Sequence, residues 1–301
     1  MNKATARQPV AGLSAPKGRL PMDPPSAPSS ILPSGACDSH LHIFGEAECF
    51  PLATNIYERP AEGTLDDWLG RLERQMQVLG LERAVLVGSV AYREDNRLLV
   101  EALRRGGGAF RGIALVGPDV SKTELRKLKA EGVCGVRVNM RHPGALDHEG
   151  LKRIAPLLGE LGLHVQILLD CQDQFDALQD DFRAFGIKVV VDHMASFSPQ
   201  APAPYSNGFL RAMEEGWLYV KLSAPYRRED MPYIESQNAL MALLSARDDR
   251  IVWGTDWPYV IYNGPQPDAG RLVDWVLSVC SERQIQRIFA QTPAELYFSR
   301  H

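Results

Sequence analysis

From about residue 35 onward the chain alternates short, nearly unbroken apolar runs with longer segments whose apolar positions recur at helical spacing. The first run opens the stretch CDSHLHIFG at 37–45. AVLVGS follows at 84–89, then 112–116, VCGVRVN at 133–139, 164–169, KVVVDH at 188–193, LYVKLS at 218–223 and IVWGTD at 251–256. Runs this short and this apolar read as parallel strands buried on both faces.

The segments between them read as helices. In 64–79 the apolar positions Leu65, Trp68, Leu69, Leu72, Met76 and Leu79 keep a helical period. Thr64 is placed as N-cap with Asp67 as its capping-box partner, and Gly80 as the stop. Helices are expected at 96–105, 122–130, 151–161, 175–185 and 209–215, and 271–280 is amphipathic. Eight such units predict an α/β fold, a TIM (β/α)8 barrel of roughly 250 residues. An open doubly wound sheet is disfavoured, because no glycine-rich phosphate loop follows the first strand.

Residues 1–34 carry seven prolines among Ser, Ala and Gly without apolar periodicity, so they are expected to be an extended arm, mobile or lying along a barrel formed by 35–301. The connection at 46–63 exceeds the usual strand-to-helix loop, which marks it for function.

Composition narrows the partners. With 45% hydrophobic and 23% charged residues and a net charge of -4, the surface offers no general attraction for nucleic acid or anionic lipid. Five widely spaced cysteines without a Cys-x-x-Cys pair suit a reducing compartment. No apolar run reaches the roughly 18 residues of a membrane span, and the N-terminus lacks a secretory apolar core. A cytoplasmic protein is expected, with association between copies left open.

In a barrel the C-terminal ends of all strands converge on one mouth. His40 and His42, two residues apart on a strand, face one point. Ser89, Arg137, Asn139, Asp170, Asp192, His193, Lys221, Ser223 and Asp256 stand at later strand ends. Three histidines and a carboxylate gathered this way point to a hydrolytic site. His164 opens its strand and so belongs to the opposite face; His142 and His148 are placed in a loop, and His301 is terminal.

DSHLH, GVRVN, VDHM, LYVKLSAP and VWGTDWP, with GSVAYREDNRLL at 88–99 and TPAELY at 292–297, resemble the amidohydrolase superfamily. More narrowly they resemble its lactone-hydrolase branch, which acts on pyrone dicarboxylate and galactarolactones. Thr292 stands where that branch usually carries Asn.

The resemblance implies a hydrolase of carboxylic esters, a lactonase of aromatic or sugar acid catabolism. Asp256 would activate water while His40, His42 and His193 polarise the lactone carbonyl. The alternatives are a lactone isomerase on the same site, or a mononuclear zinc amidohydrolase or decarboxylase.

Metal-dependent members supply Lys or Glu at strand four and His at strand five. This chain has Arg137 and an ILLD ending, so no obligatory metal is expected; a single zinc, if bound, would take His40, His42, His193 and Asp256. Arg137 and Arg227 are expected to bind substrate carboxylates. The branch's further arginine falls at Pro143, with Arg141 nearby as candidate substitute. Ser89, Tyr92 and Tyr57 are candidate hydroxyl donors to substrate.

Overall fold

The apolar runs are too short and too rich in Val, Ile and Leu to stand as helices, and they pair side by side as strands. In the computed structural model, which describes residue 11 and residues 15–141 and 146–299, they form β1 (Cys37–Leu41), β2 (Arg83–Val87), β3 (Phe110–Ala114), β4 (Val133–Asn139), β5 (His164–Leu168), β6 (Val189–Val191), β7 (Leu218–Leu222) and β8 (Ile251–Trp253). All neighbours are parallel, in the order of the chain. The helices between them are α1 (Leu65–Leu79), α2 (Arg97–Arg105), α3 (Lys122–Ala130), α4 (His148–Leu161), α5 (Gln172–Ala184), α6 (Asn207–Glu215), α7 (Ile234–Arg247) and α8 (Ala269–Leu277).

The eight parallel strands make a nearly closed (β/α)8 barrel. β8 returns to β1 through backbone bonds from His42 N to Trp257 O and from Asp256 N to His40 O, both 2.8 Å. Buried Asp38 reinforces the seam, accepting from Thr255 N at 3.0 Å, from Thr255 Oγ1 at 2.5 Å and from His40 N at 3.0 Å. Gly254 is required there, since a Cβ would stand 2.6 Å from His40 N.

Outward-facing Leu86, Val136, Ile167, Val191 and Leu222 join the helices in one large core. A second cluster, including Cys37, Val85, Ile113, Val190, Tyr219 and Val252, is plugged by Leu296 and Tyr297 from the C-terminal segment. No helix among the described residues is long and apolar enough to cross a membrane.

The α1 caps stand where the sequence put them: Thr64 and Asp67 form a capping box and Gly80 closes the helix in the left-handed region. Other elements differ. His148, expected in a loop, opens α4, whose first turn is capped by the Asp147 carboxylate on Gly150 N. Helix α7 was not foreseen because apolar residues surround it: Leu240 and Leu243 are buried while Ile234 and Met241 are exposed, which blurs the stripe. His142, Pro143 and His301 lie outside the described residues.

The described part of the arm lies along the barrel. Gly18 N donates to Arg59 O at 2.7 Å and Arg59 N to Pro16 O at 2.8 Å, joining the arm to the β1–α1 connection. Further along, Asp23 pairs with Arg71 and Arg74 of α1, and Ser26 N and Ser29 N donate to Asp268 and Asp274.

Candidate active site

His40 stands one residue before the end of β1 and His42 just past it, with ring centroids 5.2 Å apart and both side chains buried. A register irregularity between Asp38 and Leu41 accompanies their placement. His193 arrives by a different route. After β6 the backbone makes a left-handed turn through His193, Met194, Ala195 and Ser196, all at φ between 51° and 56°. Non-glycine residues pay about 1–2 kcal/mol each in that region. The turn is held by Ser196 Oγ on Leu169 O at 2.7 Å and by Tyr205 OH on Met194 O at 3.3 Å.

Asp256, also left-handed at φ 62°, presents Oδ1 to all three imidazoles. The Nε2 atoms of His40, His42 and His193 stand 3.7, 3.8 and 3.8 Å from it. Its other oxygen is occupied: Tyr226 OH donates to Oδ2 at 2.7 Å, and Arg227 donates through Nε at 3.1 Å and Nη2 at 3.0 Å. Burial pushes the Asp256 carboxyl up, but the Arg227 guanidinium and the three histidines outweigh it and hold the group well below the usual carboxylate range.

The opposite ring nitrogens define the tautomers. His42 Nδ1 meets Val87 O at 2.8 Å, and a carbonyl only accepts, so the proton sits on Nδ1. His40 Nδ1 meets Asp192 Oδ1 at 3.1 Å, an aspartate whose carboxyl His40, Lys221 and Arg137 keep well below the normal range against the push of burial. His193 Nδ1 lies 2.8 Å from Ser223 Oγ. Burial lowers the His42 and His193 imidazoles to about 4 and His40 well below its usual value.

Neutral His40 and His42 therefore direct lone pairs, not N–H groups, at Asp256. Buried His40 Nε2 has no hydrogen-bond partner among the described residues. Among the described residues His40, His42 and Asp256 bring ligand atoms within 4.8 Å of one another, as do His40, Asp192 and His193, an arrangement of the kind that can hold a divalent cation.

Beneath this cluster lies a second polar layer. Buried Asp192 also accepts from Arg137 Nη2 at 3.3 Å and Gln166 Nε2 at 3.2 Å. Lys221, expected at the mouth, is instead wholly buried under His40, donating to Ser39 O at 2.7 Å and Gln166 Oε1 at 2.6 Å. Burial lowers its ammonium to about 8. His164 sits at the start of β5 with its ring 5.5 Å from Tyr297, away from the cluster.

The expected substrate contacts separate. Arg227 donates to Asp256 and to the carbonyls of Val260 and Ile261. Buried Arg137 leans on Asp192 and Gly88 O at the site's floor. Arg141 stands at the mouth, 3.8 Å from Asp170. Ser89 and Tyr57 line one small cavity with Phe44, Ile56, Val260 and Ile261. Tyr92 is buried, and its hydroxyl accepts from Gly45 N of the loop after β1 at 3.3 Å. Sequence reasoning missed Tyr226, Gln166 and the Asp38–Thr255 clasp; a glutamine inside an apolar strand was the available signal for Gln166.

Residues 37–298 match the family model described as amidohydrolase. A 2-pyrone-4,6-dicarboxylate hydrolase of Comamonas testosteroni is 31% identical over 91% of this chain and 93% of its own length. A 4-sulfomuconolactone hydrolase of Rhizobium radiobacter is 31% identical over 90% and 93%. The crystal structure of a putative 2-pyrone-4,6-dicarboxylic acid hydrolase from Pseudomonas putida superposes with a TM-score of 0.74 at 26% identity, covering 89% of this chain and 98% of that one.

Proposed function

The chain belongs to the amidohydrolase family, and on that premise we propose that it hydrolyses a small carboxylated lactone. The observation that carries this reading is the convergence of His40, His42 and His193 Nε2 on Asp256 Oδ1, and both relatives described above are named as lactone hydrolases.

Asp256 remains ionised at any working pH, anchored through Oδ2 by Tyr226 and Arg227. Its Oδ1 takes the proton of a water as that water attacks the lactone carbonyl. The new C–O bond forms, the ring C–O bond breaks, and the proton held at Oδ1 passes to the departing ring oxygen. Because Arg227 depresses its basicity, Asp256 accepts the proton only as the attacking water becomes acidic in the transition state.

The tautomers revise the role expected of the histidines: with Nδ1 protonated, neutral His40 and His42 cannot donate from Nε2 to a carbonyl. We read His40, His42, His193 and Asp256 as the set that would hold one divalent cation such as zinc, which when bound polarises a carbonyl and acidifies water. Arg137 repels a cation but is neutralised by Asp192, which lets the two coexist. Arg141 orients the substrate carboxylate. Asp192, held in place by Arg137 and Gln166, fixes the His40 tautomer from below. Turnover of small acids by a chain whose five cysteines are all free thiols suits the cytoplasm.

The test is turnover of pyrone dicarboxylate, muconolactones and aldarolactones in oxygen-18 water by metal-stripped protein, with and without zinc. Expected are restoration by zinc, one solvent oxygen in the product, and a loss of roughly 10²- to 10⁴-fold in Asp256→Asn. Full activity of stripped protein would overturn the ligand role. A rearranged product without solvent oxygen would make the enzyme an isomerase, and inertness toward every lactone would sink the reading.

A further inference from the structure

Lys221, on β7, is wholly buried inside the barrel beneath the histidines, a placement lysine keeps when its ammonium is paired. The chemistry described above gives it no task. Nζ donates to Ser39 O at 2.7 Å and to Gln166 Oε1 at 2.6 Å. Its counter-charge is Asp192, with Oδ1 at 3.7 Å. His40 Nδ1 stands 3.4 Å away, but that nitrogen carries the proton that meets Asp192 Oδ1 at 3.1 Å, so it offers the ammonium no lone pair. From the floor, the Tyr297 ring of the C-terminal segment lies 5.8 Å from Nζ.

The two bonds of Lys221 reach His40 by separate routes. Ser39 precedes His40, in the stretch of β1 whose register with β2 is irregular. Its carbonyl accepts from a side chain of β7, so the ammonium ties down the backbone that carries the imidazole. The second route runs through an amide. Gln166 carries an acceptor oxygen and a donor NH2, and its neighbours decide which faces where. An ammonium can only donate, so Lys221 takes Oε1 and turns Nε2 toward Asp192 Oδ2, 3.2 Å away. With Arg137 Nη2 on that same oxygen, Asp192 keeps Oδ1 for His40.

We propose that Lys221 is a positioning residue of the site: through Ser39 O and the Gln166 amide it fixes the backbone and the tautomer of His40, keeping the Nε2 lone pair aimed at Asp256. The proposal rests on the lactonase reading for its effect on rate, while its effect on His40 stands on the buried network. Wholly buried, Lys221 acts through its neighbours and not on substrate. Without the ammonium the amide turns over and sets oxygen against carboxylate, Asp192 loosens, and the His40 proton is no longer confined to Nδ1.

The experiment reads the histidine tautomers of the full, metal-stripped chain, labelled with nitrogen-15, by long-range proton–nitrogen correlation at neutral pH. His40 is assigned from the signal lost in His40→Gln. The proteins are the wild type, Lys221→Met, which keeps the stem and removes the donors, and Gln166→Met, which removes the amide and leaves the lysine. Wild type is expected to show His40 and His42 protonated at Nδ1. In Lys221→Met the His40 signal should move toward the Nε2-protonated form, while His42, held by Val87 O, keeps its own and reports an intact fold. Gln166→Met should move the His40 signal the same way, and it decides the matter if Lys221→Met does not fold. On the lactones named above, kcat should fall about ten- to a hundredfold in both variants, with KM changed less.

A lysine that merely stabilises the barrel would lower the urea midpoint when replaced and leave the His40 tautomer where it was; that outcome overturns the proposal. A shifted tautomer with undiminished kcat overturns it as well. Should wild type turn over no lactone, the lactonase reading fails, and the His40 signal still decides: moved in the variants it supports the role of Lys221, unmoved it refutes it.

Discussion

At the scale of single residues, position along a strand decides what an imidazole does. His42, just past β1, faces Asp256 across the mouth; His164, at the start of β5, is sealed against Tyr297 at the barrel floor. Burial lowers the His164 imidazole from an ordinary 6.5 to about 3. Between those values the unfolded chain binds a proton that the folded one refuses, so stability falls as pH drops from 6.5 toward 3 and is flat below. His164→Gln removes that linkage. Measured by urea unfolding, wild type should lose roughly 2 kcal/mol more than the variant between pH 7 and pH 5. Equal losses would show that His164 already titrates normally in the fold. The same contrast explains why the imidazole cluster was legible in the sequence: the apolar runs alone tell a strand's end from its start. The tautomers were not legible, because they depend on Val87 O and Asp192, which only folding brings to the two rings.

At the scale of elements, the seam between β1 and β8 carries the site. Asp38 is wholly buried and takes two bonds from Thr255, while the neighbouring Asp256 N holds His40 O. Thr255→Val removes the hydroxyl donor and leaves a buried carboxylate short of a partner, an expected loss of about 2 kcal/mol in denaturant unfolding. Because Asp256 is the next residue, kcat should fall by about tenfold through misplacement of Oδ1, with KM changed less. Unchanged kcat in a destabilised variant would separate the seam from the chemistry. The strands, the α1 caps and the barrel class were readable because apolar period and capping chemistry are local. Strands β6 and β8 proved shorter than their apolar patterns, since the chain leaves the sheet early to enter the left-handed conformations at His193 and Asp256. No period reports such a turn when its residues are His, Met, Ala and Ser. Helix α7 was invisible for the converse reason, its apolar residues pointing to solvent as well as to the core.

At the scale of the whole molecule, the arm connects parts of the barrel that the sheet leaves apart. The family match begins at residue 37, so the arm lies outside it, yet its described part touches α1, α8 and two loops at the mouth. Arg19 Nη2 donates to Gly264 O at 2.8 Å, and Glu58, beside the Arg59 strand-like bridge to Lys17, accepts from Ile261 N at 3.1 Å. Ile261 and Val260 in turn give their carbonyls to Arg227, which grips Asp256. The arm thus braces the loop that sets the site's carboxylate. It packs tightly against Gly270, in the first turn of α8, where a Cβ would overlap Ser26 O. Gly270→Val must therefore displace the arm, or α8, by more than a side-chain adjustment, at a cost of about 1–3 kcal/mol. Limited trypsin digestion should then cut at Lys17 or Arg19 well before the barrel is attacked, and kcat/KM should drop by several-fold while the far-ultraviolet spectrum is retained. If cleavage quickens but kcat/KM holds, the arm is a stabilising strap alone, and the grip of Arg227 on Asp256 is maintained by the barrel loops without it.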